Sequence, residues 1–436
     1  MKNNKIINKT DSYKASHYLQ FPPDAENTFY YIESRGGGDK IKFFGLQAII
    51  KKYLMTVINE NDVAEAKKFF NAHGLPFNEA GWTKIAKKGY LPLEIKAVKE
   101  GTVVNTKRPL VTVTCTEDGF EWLPGWCETM LMQVWYPITV ATNSWKCKQV
   151  ISKYLEETGV PEGIMFKLHD FGYRGVSSEE SAELGGMAHL VNFMGTDTIA
   201  GIYAAQEYYN TNEMVGFSIP AAEHSTMTSW GKENEKMAYK NMLDKFAEPG
   251  KLVAVVSDSY DLNNAVVNIW GKDLKKDVLD SGATIVIRPD SGEPKDVVVR
   301  TLLQLEATFG ATTNDKGYKV LNPAVRLIQG DGISDATAIA EILEAVKSAG
   351  FSADNLAFGM GGGLLQQVNR DTYKFAMKCS AIKRAGNWQD VFKCPVDAPW
   401  KASKAGRFNE YSDFVTVFKD GKMIKEYTFD EVRNNE

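Results

Sequence analysis

A run of residues that could bind an anion follows a candidate β-strand in the second half of the chain. Thr284–Ile287 are β-favouring residues, and they lead directly into Arg288-Pro-Asp-Ser-Gly292. A cation, a carboxylate, a hydroxyl and a flexible backbone thus lie at the carboxyl end of the strand, where barrel and open α/β folds bind ligands. Proline, aspartate, serine and glycine are also ordinary turn residues, so this run alone is better interpreted as a polar turn.

The same layout recurs along residues 164–363, which one isolated turn does not explain. Each predicted strand ends in a polar or glycine-rich turn, and the patterns over 296–309 and 336–349 indicate amphipathic helices. The predicted strands are Ile164–His169, Val191–Phe193, Val215–Ile219, Leu252–Val256, Thr284–Ile287, Val325–Ile328 and Leu356–Phe358. Such a series predicts an α/β fold with a distorted (β/α) barrel and a site on its carboxyl-end rim. A Rossmann sheet is the alternative, but no G-x-G-x-x-G motif follows an early strand.

The turns would place charged side chains and glycines on this rim. The charged candidates are His169, Arg174, Asp197, His224, Asp258, Arg288, Asp290 and Asp331. Gly330-Asp-Gly332 and Gly359 to Gly363 are either tight turns or places where backbone N–H groups approach a ligand. If Gly361–Gly363 begin a helix over Leu364–Met377, its amino end favours a phosphate. Carboxylates that hold hydroxyls, with arginines and amides that hold phosphates, fit a ribose phosphate.

The remainder of the chain predicts a second domain. Leu91–Thr114 alternates apolar and polar residues, which indicates a small antiparallel sheet, and Glu121–Val140 indicates a core or interface helix. We therefore predict an added α+β domain over residues 1–150, completed by 380–436, and a barrel domain over 151–379. The basic residues of the C-terminal segment, which include Lys378, Lys393 and Lys401, form either a solvated face or polyphosphate contacts.

Composition excludes several classes of protein. The 436 residues carry a formal net charge of −4, so no basic field predicts nucleic-acid binding. No apolar run is long enough for a membrane span or a signal peptide, so we expect a cytoplasmic protein without a membrane partner. The five cysteines show no CxxC pair and the five histidines no HExxH spacing, so we expect reduced thiols and no zinc hydrolase.

Together the motifs closely resemble nicotinamide phosphoribosyltransferases of the type II phosphoribosyltransferase family, in order from about residue 7 to about residue 430. The motifs are Asp11-Ser-Tyr-Lys14, His169-Asp-Phe-Gly-Tyr-Arg-Gly-Val-Ser-Ser178, Gly195-Thr-Asp-Thr198, Pro220-Ala-Ala-Glu-His-Ser225, Ser257-Asp-Ser-Tyr-Asp261, Arg288-Pro-Asp-Ser-Gly292, Gln329-Gly-Asp-Gly332 and the Gly361 turn. The resemblance implies that nicotinamide and phosphoribosyl pyrophosphate give nicotinamide mononucleotide and pyrophosphate, in NAD salvage. It also implies a homodimer with shared sites, Mg²⁺, and ATP hydrolysis coupled through a phosphohistidine.

The resemblance further implies how the pyridine ring is held. Phe171 would stack on one face of the ring, and Tyr13 of the partner subunit on the other. Asp197 would accept a hydrogen bond from the carboxamide NH₂, and Arg288 would contact the amide oxygen. The pyridine nitrogen has a free lone pair, so attack on C1 of the ribose needs no general base.

The remaining motif residues would hold the sugar and the phosphates. Asp290 would bind the ribose hydroxyls, with Asp331 nearby, and His224 would be the phosphorylated residue. Gly361 and Gly362 would take the 5′-phosphate with Arg370 of the partner subunit. Further substrate contacts are expected from Arg35, Arg174, Lys393 and Lys401, which would meet pyrophosphate or polyphosphate, and from Asp258 and Gly330. Electrostatic stabilisation of a cation-like sugar and of the departing pyrophosphate would then carry the catalysis.

Two alternatives remain open. A nicotinate phosphoribosyltransferase has a related fold, but the Asp197 carboxylate would repel the carboxylate of nicotinate. A sensor or signalling protein could keep the same fold without turnover.

Overall fold

The computed structural model describes residues 4–408 and 411–435 and divides into two compact units. The first unit comprises residues 1–142, 204–213 and 369–436, and the second comprises residues 143–203 and 214–368. The domain ranges given above remain a prediction. Among the helices in the described residues, none has both the length and the apolar character needed to cross a membrane.

The strands of the described residues are short, and most belong to one of two sheets. They are β1 (Ala25–Ser34), β2 (Lys40–Lys42), β3 (Leu93–Ala97), β4 (Val103–Asn105), β5 (Pro109–Cys115), β6 (Leu168–Asp170), β7 (Gly195–Thr196), β8 (Leu252–Val256), β9 (Thr284–Arg288), β10 (Ala311–Thr313), β11 (Lys319–Leu321), β12 (Val325–Gln329), β13 (Leu356–Met360), β14 (Phe375–Arg384), β15 (Asn387–Asp390), β16 (Val415–Lys419) and β17 (Lys422–Met423).

The α-helices range from single turns to 24 residues. They are α1 (Leu46–Ile49), α2 (Glu60–Ala72), α3 (Glu79–Lys88), α4 (Leu123–Leu131), α5 (Trp135–Thr158), α6 (Glu179–Leu190), α7 (Ile199–Tyr208), α8 (His224–Thr228), α9 (Glu235–Phe246), α10 (Leu262–Asn264), α11 (Lys275–Ser281), α12 (Pro294–Phe309), α13 (Ala336–Ser348), α14 (Gly362–Leu365) and α15 (Phe429–Asn434). Wider π-helical turns continue α1 over Ile50–Leu54 and α10 over Ala265–Asp273.

The first unit is built on a seven-stranded antiparallel sheet in the order β15-β14-β1-β5-β3-β16-β17. The predicted small sheet at 91–114 is confirmed, since β3 pairs with β5 from Leu93 to Ala97. The predicted core helix over Glu121–Val140 is confirmed as buried helical structure, but a 3₁₀ turn over Met132–Val134 divides it into α4 and the start of α5. Trp126 of α4 and the preceding Trp122 are buried against Trp82, with ring centroids 5.2 Å from it. Strand β14 pairs with β1, so the C-terminal segment contributes to this sheet.

The second unit is an irregular (β/α) barrel, which confirms the predicted fold class. Its main sheet has six strands, all parallel, in the order β7-β6-β13-β12-β9-β8. The segment Phe217–Ala222 bridges the two edges, because Phe217 pairs with Gly195 of β7 and Ala221 pairs with Ala254 of β8. Strands β8 and β9 bury near-continuous apolar runs, as expected of parallel strands covered by helices.

Three of the predicted strands need correction. Residues 191–193 follow the end of α6, and the strand lies just beyond them at β7. Residues 215–219 form one isolated bridge, at Phe217, rather than a regular strand. Strand β6 begins at Leu168, because Pro161–Phe166 form a 3₁₀ helix. The strands predicted at 252–256, 284–287, 325–328 and 356–358 are confirmed.

The helix predicted over Leu364–Met377 is wrong. Only Gly362–Leu365 are helical, and Phe375 already begins strand β14. The strand pairs with β1 over most of its length. Sheet pairing therefore overrides the local helical pattern in this segment.

Candidate active site

The carboxyl ends of the barrel strands concentrate buried polar atoms that have no hydrogen-bond partner within the protein. Most buried polar atoms in folded proteins do have such a partner, so this concentration marks a functional region. Those on the rim include Asp170 Oδ2, Ser259 Oγ, Arg288 Nε and Gln329 Oε1. Asp170, Arg288 and Gln329 are the last residues of β6, β9 and β12, and Ser259 follows β8.

The Phe171 ring lies on a floor that lacks side chains. A Cβ atom added to Gly359 would lie 2.0 Å from the ring, and one added to Gly330 would lie 3.5 Å from it. The Phe171 N–H donates to Met360 O at 3.0 Å, which fixes the turn after β6. Phe171 also packs beside a small buried cluster formed by Ala254, Val286 and Ile328 in the barrel interior. Any side chain at residue 359 would therefore displace the predicted stacking residue.

The carboxyl group of Asp170 holds this turn from beneath. Its Oδ1 accepts a hydrogen bond from the Gly172 N–H at 2.7 Å. The pKa of Asp170 is raised to about 6, chiefly by burial and to a smaller extent by the charge of Asp197, although the Gly172 hydrogen bond opposes the rise. The backbone O of Asp170 accepts from the Asp197 N–H at 3.0 Å, so Asp197 lies next to the Phe171 turn.

Asp197 and Ser218 form a pair at the mouth of the barrel. Ser218 Oγ donates to Asp197 Oδ1 at 2.5 Å, and both residues are exposed. His169, a rim candidate, instead has its Nε2 3.1 Å from Phe166 O. Burial lowers the pKa of His169. We therefore regard His169 as a packing residue of the rim rather than a proton donor.

Asp258 joins three separate rim segments. Its Oδ1 lies 3.2 Å from His224 Nε2, while its Oδ2 accepts from the Asp290 N–H at 2.9 Å and from Ser291 Oγ at 2.6 Å. His224 Nδ1 lies 3.7 Å from Asp290 Oδ2, so the imidazole lies between two carboxylates. Because Asp258 is only 4% exposed, both its oxygens are committed to these protein contacts. Its role in the structure is to place His224 and Asp290.

A buried aromatic network supports Asp258 from behind. The preceding residue, Ser257, accepts a hydrogen bond from Trp270 Nε1 at 3.1 Å. The Trp270 ring stacks on Tyr239 with centroids 4.7 Å apart, and the Tyr239 hydroxyl donates to Glu235 Oε1 at 2.9 Å. Satisfied buried networks of this kind rigidify their surroundings, so the position of Asp258 is well defined.

The two rim arginines differ in exposure. Arg288 is largely buried, with its Nε 3.8 Å from Asp290 Oδ1. Arg174 is 87% exposed and lies 3.8 Å from the Glu223 carboxylate, a surface pairing that contributes little energy. Asp331 is exposed as well, and its backbone O accepts from Gln329 Nε2 at 2.9 Å. Arg288 is thus fixed in place, whereas Arg174 is free to follow a ligand.

The glycine turn after β13 is packed closely on both sides. A Cβ on Gly361 would lie 3.3 Å from Phe171 O, and one on Gly363 would lie 2.3 Å from Ser334 O. Gly362 begins α14, and the first N–H groups of a helix have no partner within it. Gly361 and Gly362 therefore lie beside the Phe171 turn, with backbone suited to an anion.

Tyr13 lies in the first unit, on a segment that is anchored while its ring stays exposed. Lys14 Nζ lies 2.6 Å from Glu128 Oε2, and Thr129 Oγ1 donates to Asp11 Oδ2 at 2.7 Å. Both contacts tie the 3₁₀ helix Ser12–Leu19 to α4. The Tyr13 side chain is nevertheless 60% exposed. It is thus presented on the surface of this unit.

The other phosphate-binding candidates of the first unit surround Lys378. Burial lowers the pKa of Lys378, and the neighbouring cations Arg35, Lys393 and Arg370 lower it further, while Glu128 raises it. Such crowding of positive charge is costly without an anion, so it indicates an anion-binding surface. Lys401 is exposed at the end of the turn Pro399–Lys401. We refer to Arg35, Arg370, Lys378 and Lys393 as the cationic cluster.

Residues 166–423 match the model of the Nicotinate phosphoribosyltransferase (NAPRTase) family. The chain belongs to the nicotinate phosphoribosyltransferase family. Residues 5–95 match a second model, the Nicotinamide phosphoribosyltransferase, N-terminal domain. The two matches fall on the two kinds of sequence pattern identified above, and they confirm the resemblance read from the motifs.

Several curated relatives of this family member are named nicotinamide phosphoribosyltransferase. The protein from Xanthomonas campestris pv. campestris is 51% identical over 99% of this chain and 97% of its own length. Those from Mycoplasma pneumoniae and Acinetobacter baylyi are 34% and 32% identical, over 92% and 98% of this chain and 94% and 96% of their own lengths.

Solved structures share the fold of the nicotinate phosphoribosyltransferase family. A nicotinate-nucleotide pyrophosphorylase from Pyrococcus furiosus matches with a TM-score of 0.56 at 15% identity, covering 98% of this chain and 93% of that one. A human Nicotinic Acid Phosphoribosyltransferase matches with a TM-score of 0.55 at 14% identity, covering 97% and 92%. At these identities the likeness concerns the fold alone.

Sequence reasoning missed three polar residues, two on the rim of the second unit and one in the cationic cluster of the first. Ser218 lies in the predicted strand Val215–Ile219 and Ser291 in the motif Arg288-Pro-Asp-Ser-Gly292, but nothing in either pattern shows that their hydroxyls bond Asp197 and Asp258, respectively. Lys378 was noted only as part of a basic segment, because its cationic neighbours Arg35 and Arg370 lie elsewhere in the chain or in a different turn. Both the serine contacts and the cationic neighbours of Lys378 therefore required the fold.

Proposed function

We propose that this enzyme transfers the phosphoribosyl group of phosphoribosyl pyrophosphate to nicotinamide, giving nicotinamide mononucleotide and pyrophosphate in NAD salvage. The observation that carries the proposal is the Asp197 carboxylate beside the Phe171 turn. A carboxylate accepts hydrogen bonds from the carboxamide NH₂ of nicotinamide but repels the carboxylate of nicotinate. The names of the relatives at 51%, 34% and 32% identity support the same substrate.

The second unit offers groups for every part of the reacting complex. The ring would stack on Phe171, with its amide between Asp197 and Arg288, so that the pyridine nitrogen points toward the sugar. Asp290 would hold the ribose hydroxyls, while Gly361 and Gly362 would take the 5′-phosphate. The pyridine nitrogen attacks C1 as the bond to pyrophosphate breaks, and no proton is transferred. The enzyme therefore acts by positioning and by electrostatic stabilisation.

The cationic cluster is suited to the diphosphate and, in the proposed coupling, to ATP. Arginine and lysine side chains that crowd one another gain from a polyanion because it relieves their mutual repulsion. Arg35, Lys393 and Lys401 would bind these phosphates. We add Lys378 to this group because burial and the neighbouring cations lower its pKa. Arg370 would reach the 5′-phosphate of a partner subunit.

Mg²⁺ would bind together with the substrate rather than in a protein cage. The part of the chain that is described holds no group of three or more His, Cys, Asp or Glu side chains arranged to hold a metal ion. Mg²⁺ is commonly held by one or two carboxylates and by phosphate oxygens. The oxygens of Asp258 are already committed to protein contacts, so we assign this role to Asp290 and Asp331. When bound, the ion would neutralise charge on the departing pyrophosphate.

His224 is the proposed phosphoacceptor, and a homodimer is the proposed assembly. The imidazole lies between Asp258 and Asp290, which hold it in one orientation while its edge stays exposed. The exposed Tyr13 of the partner subunit would complete the aromatic sandwich with Phe171. Both features extend the proposal beyond the transferase reaction itself.

A direct assay tests the proposal. Purified protein is incubated with phosphoribosyl pyrophosphate, Mg²⁺ and either nicotinamide or nicotinate, with and without ATP, and the mononucleotides are separated by chromatography. We expect nicotinamide mononucleotide, stimulation by ATP, and loss of product in Asp290→Ala. The exposed Asp315→Asn variant is the matched control. Preference for nicotinate would replace the proposal with the nicotinate enzyme, and absence of product from both pyridines would indicate a non-catalytic protein.

A further inference from the structure

We infer that Ser218 fixes the hydrogen-bonding state of Asp197 and so makes the side of the amide pocket opposite Arg288 accept only hydrogen-bond donors, which selects a carboxamide NH₂ over a carboxylate oxygen. The inference rests on the proposed function and assigns a positioning and specificity role to a residue outside the catalytic set. The observation behind it is the 2.5 Å hydrogen bond from Ser218 Oγ to Asp197 Oδ1.

The backbone holds Ser218 in place beside Asp197. Ser218 directly follows Phe217, whose N–H donates to Met194 O at 2.7 Å and whose O accepts from the Thr196 N–H at 2.9 Å. Thr196 in turn precedes Asp197. The two segments therefore run side by side at the barrel mouth, and the serine and aspartate side chains meet there without a long flexible arm on either.

The hydroxyl has one proton, and the structure shows where it goes. Asp197 Oδ1 is a charged acceptor at short range, whereas the other nearby acceptor, Ile219 O, is 3.5 Å away and therefore weak. With its proton committed to Asp197, Ser218 presents only oxygen lone pairs to a ligand. The hydroxyl thus becomes an acceptor in this site.

The other carboxylate oxygen of the pair is also an acceptor, and the N–H of Asp197 is already used. Asp197 Oδ2 accepts hydrogen bonds, and the Asp197 N–H is committed to Asp170 O at 3.0 Å. A carboxamide NH₂ has two donors and can satisfy Asp197 Oδ2 and Ser218 Oγ together. A carboxylate has no donor and would face two acceptors. Ser218 thereby adds a second point of discrimination to the charge of Asp197.

The decisive experiment compares two pyridines in a set of variants. Ser218→Ala removes the hydroxyl, Ser218→Cys keeps its bulk with a weaker donor, and Ser218→Thr keeps the hydroxyl. Ser229→Ala is the matched control, since its exposed hydroxyl bonds only locally, to Thr226 O at 3.4 Å. For each protein, kcat and KM are measured for nicotinamide and nicotinate, together with the KM for phosphoribosyl pyrophosphate and the thermal unfolding midpoint.

We expect Ser218→Ala and Ser218→Cys to raise the KM for nicotinamide about tenfold or more, the usual effect of losing a hydrogen bond to a charged group. The ratio of kcat/KM for nicotinamide to that for nicotinate should fall by a similar factor. The KM for phosphoribosyl pyrophosphate should stay unchanged, and Ser218→Thr should restore the preference. A general loss of structure would instead lower kcat for both pyridines together with the thermal unfolding midpoint.

The outcomes separate this inference from the proposed function. If wild type forms nicotinamide mononucleotide but Ser218→Ala and Ser218→Cys keep the wild-type preference, the specificity role is wrong while the function stands. A loss that is equal for both pyridines, or that Ser218→Thr fails to restore, also overturns the role. If wild type forms no nicotinamide mononucleotide, the proposed function fails and this inference fails with it.

Discussion

The stability of the Asp170→Asn variant, measured as its difference from wild type, should increase as the pH rises from 5 to 8. Burial raises the pKa of Asp170 from 3.8 to about 6. Between these values the native protein binds a proton that the unfolded chain does not, so the free energy of unfolding falls as the pH rises. For a shift of this size, the free energy of unfolding falls by about 3 kcal/mol in total once the pH is above 6. Roughly 1.4 kcal/mol of that fall occurs between pH 5 and pH 8.

The asparagine side chain is a suitable probe because it keeps the contact that holds the Phe171 turn. Its amide oxygen can accept from the Gly172 N–H as Asp170 Oδ1 does at 2.7 Å, but it does not ionise. The free energy of unfolding is measured by urea denaturation of wild type and Asp170→Asn at several values from pH 5 to pH 8. The exposed Asp315→Asn is the control for a general effect of lost charge.

The quantity to compare is the stability difference between variant and wild type at each pH. It should become more favourable to the variant by about 1–1.5 kcal/mol from pH 5 to pH 8, with most of the change near pH 6. The Asp315→Asn difference should stay nearly constant. A flat difference for Asp170→Asn, or one that grows toward acid pH, would refute the claim that burial raises the pKa of this carboxyl.

Three further predictions concern the reaction itself. Asp197→Asn should lower kcat/KM for nicotinamide about ten- to hundredfold, because a hydrogen bond to a charged group contributes about 1.5–3 kcal/mol. The variant should also accept nicotinate as a substrate. Unchanged efficiency and unchanged preference would show that Asp197 is not part of the site. His224→Ala should abolish ATP hydrolysis and its stimulation of the transferase while the protein stays folded, and full ATPase activity would contradict the phosphohistidine. Mixing Tyr13→Ala with Asp290→Ala under subunit exchange should restore activity toward about a quarter of wild type, since a mixed dimer has one intact site; verified mixed dimers without recovery would assign each site to a single chain.

The regular elements of the barrel could be predicted from the sequence because their signal is local. Strands β8 and β9 are runs of apolar, mainly β-branched residues, as expected of strands that are buried on both faces. Helices α12 and α13 show the helical period, as expected of helices that bury one face. In both cases the burial of an element can be recognised from residues that are close together in the sequence. The pattern of residues 215–219 also predicts a strand, yet these residues form only one isolated bridge, from Phe217 to β7. Their role in the barrel depends on where β7 and β8 lie, which no local pattern contains.

The site divides in the same way. Residue types and motif order determined which segments carry chemistry and which family the chain belongs to, since Phe171, Asp197, His224, Asp290 and the glycine turn each follow a strand-like run. Only the tertiary structure decided how these segments bond to one another. It placed three rim segments on one buried carboxylate, cleared a glycine floor beneath an aromatic ring, and gathered cations around Lys378. The physical reason is that periodicity records how one element is buried, whereas hydrogen bonds and charge interactions across the rim depend on distances between elements that are far apart in the chain.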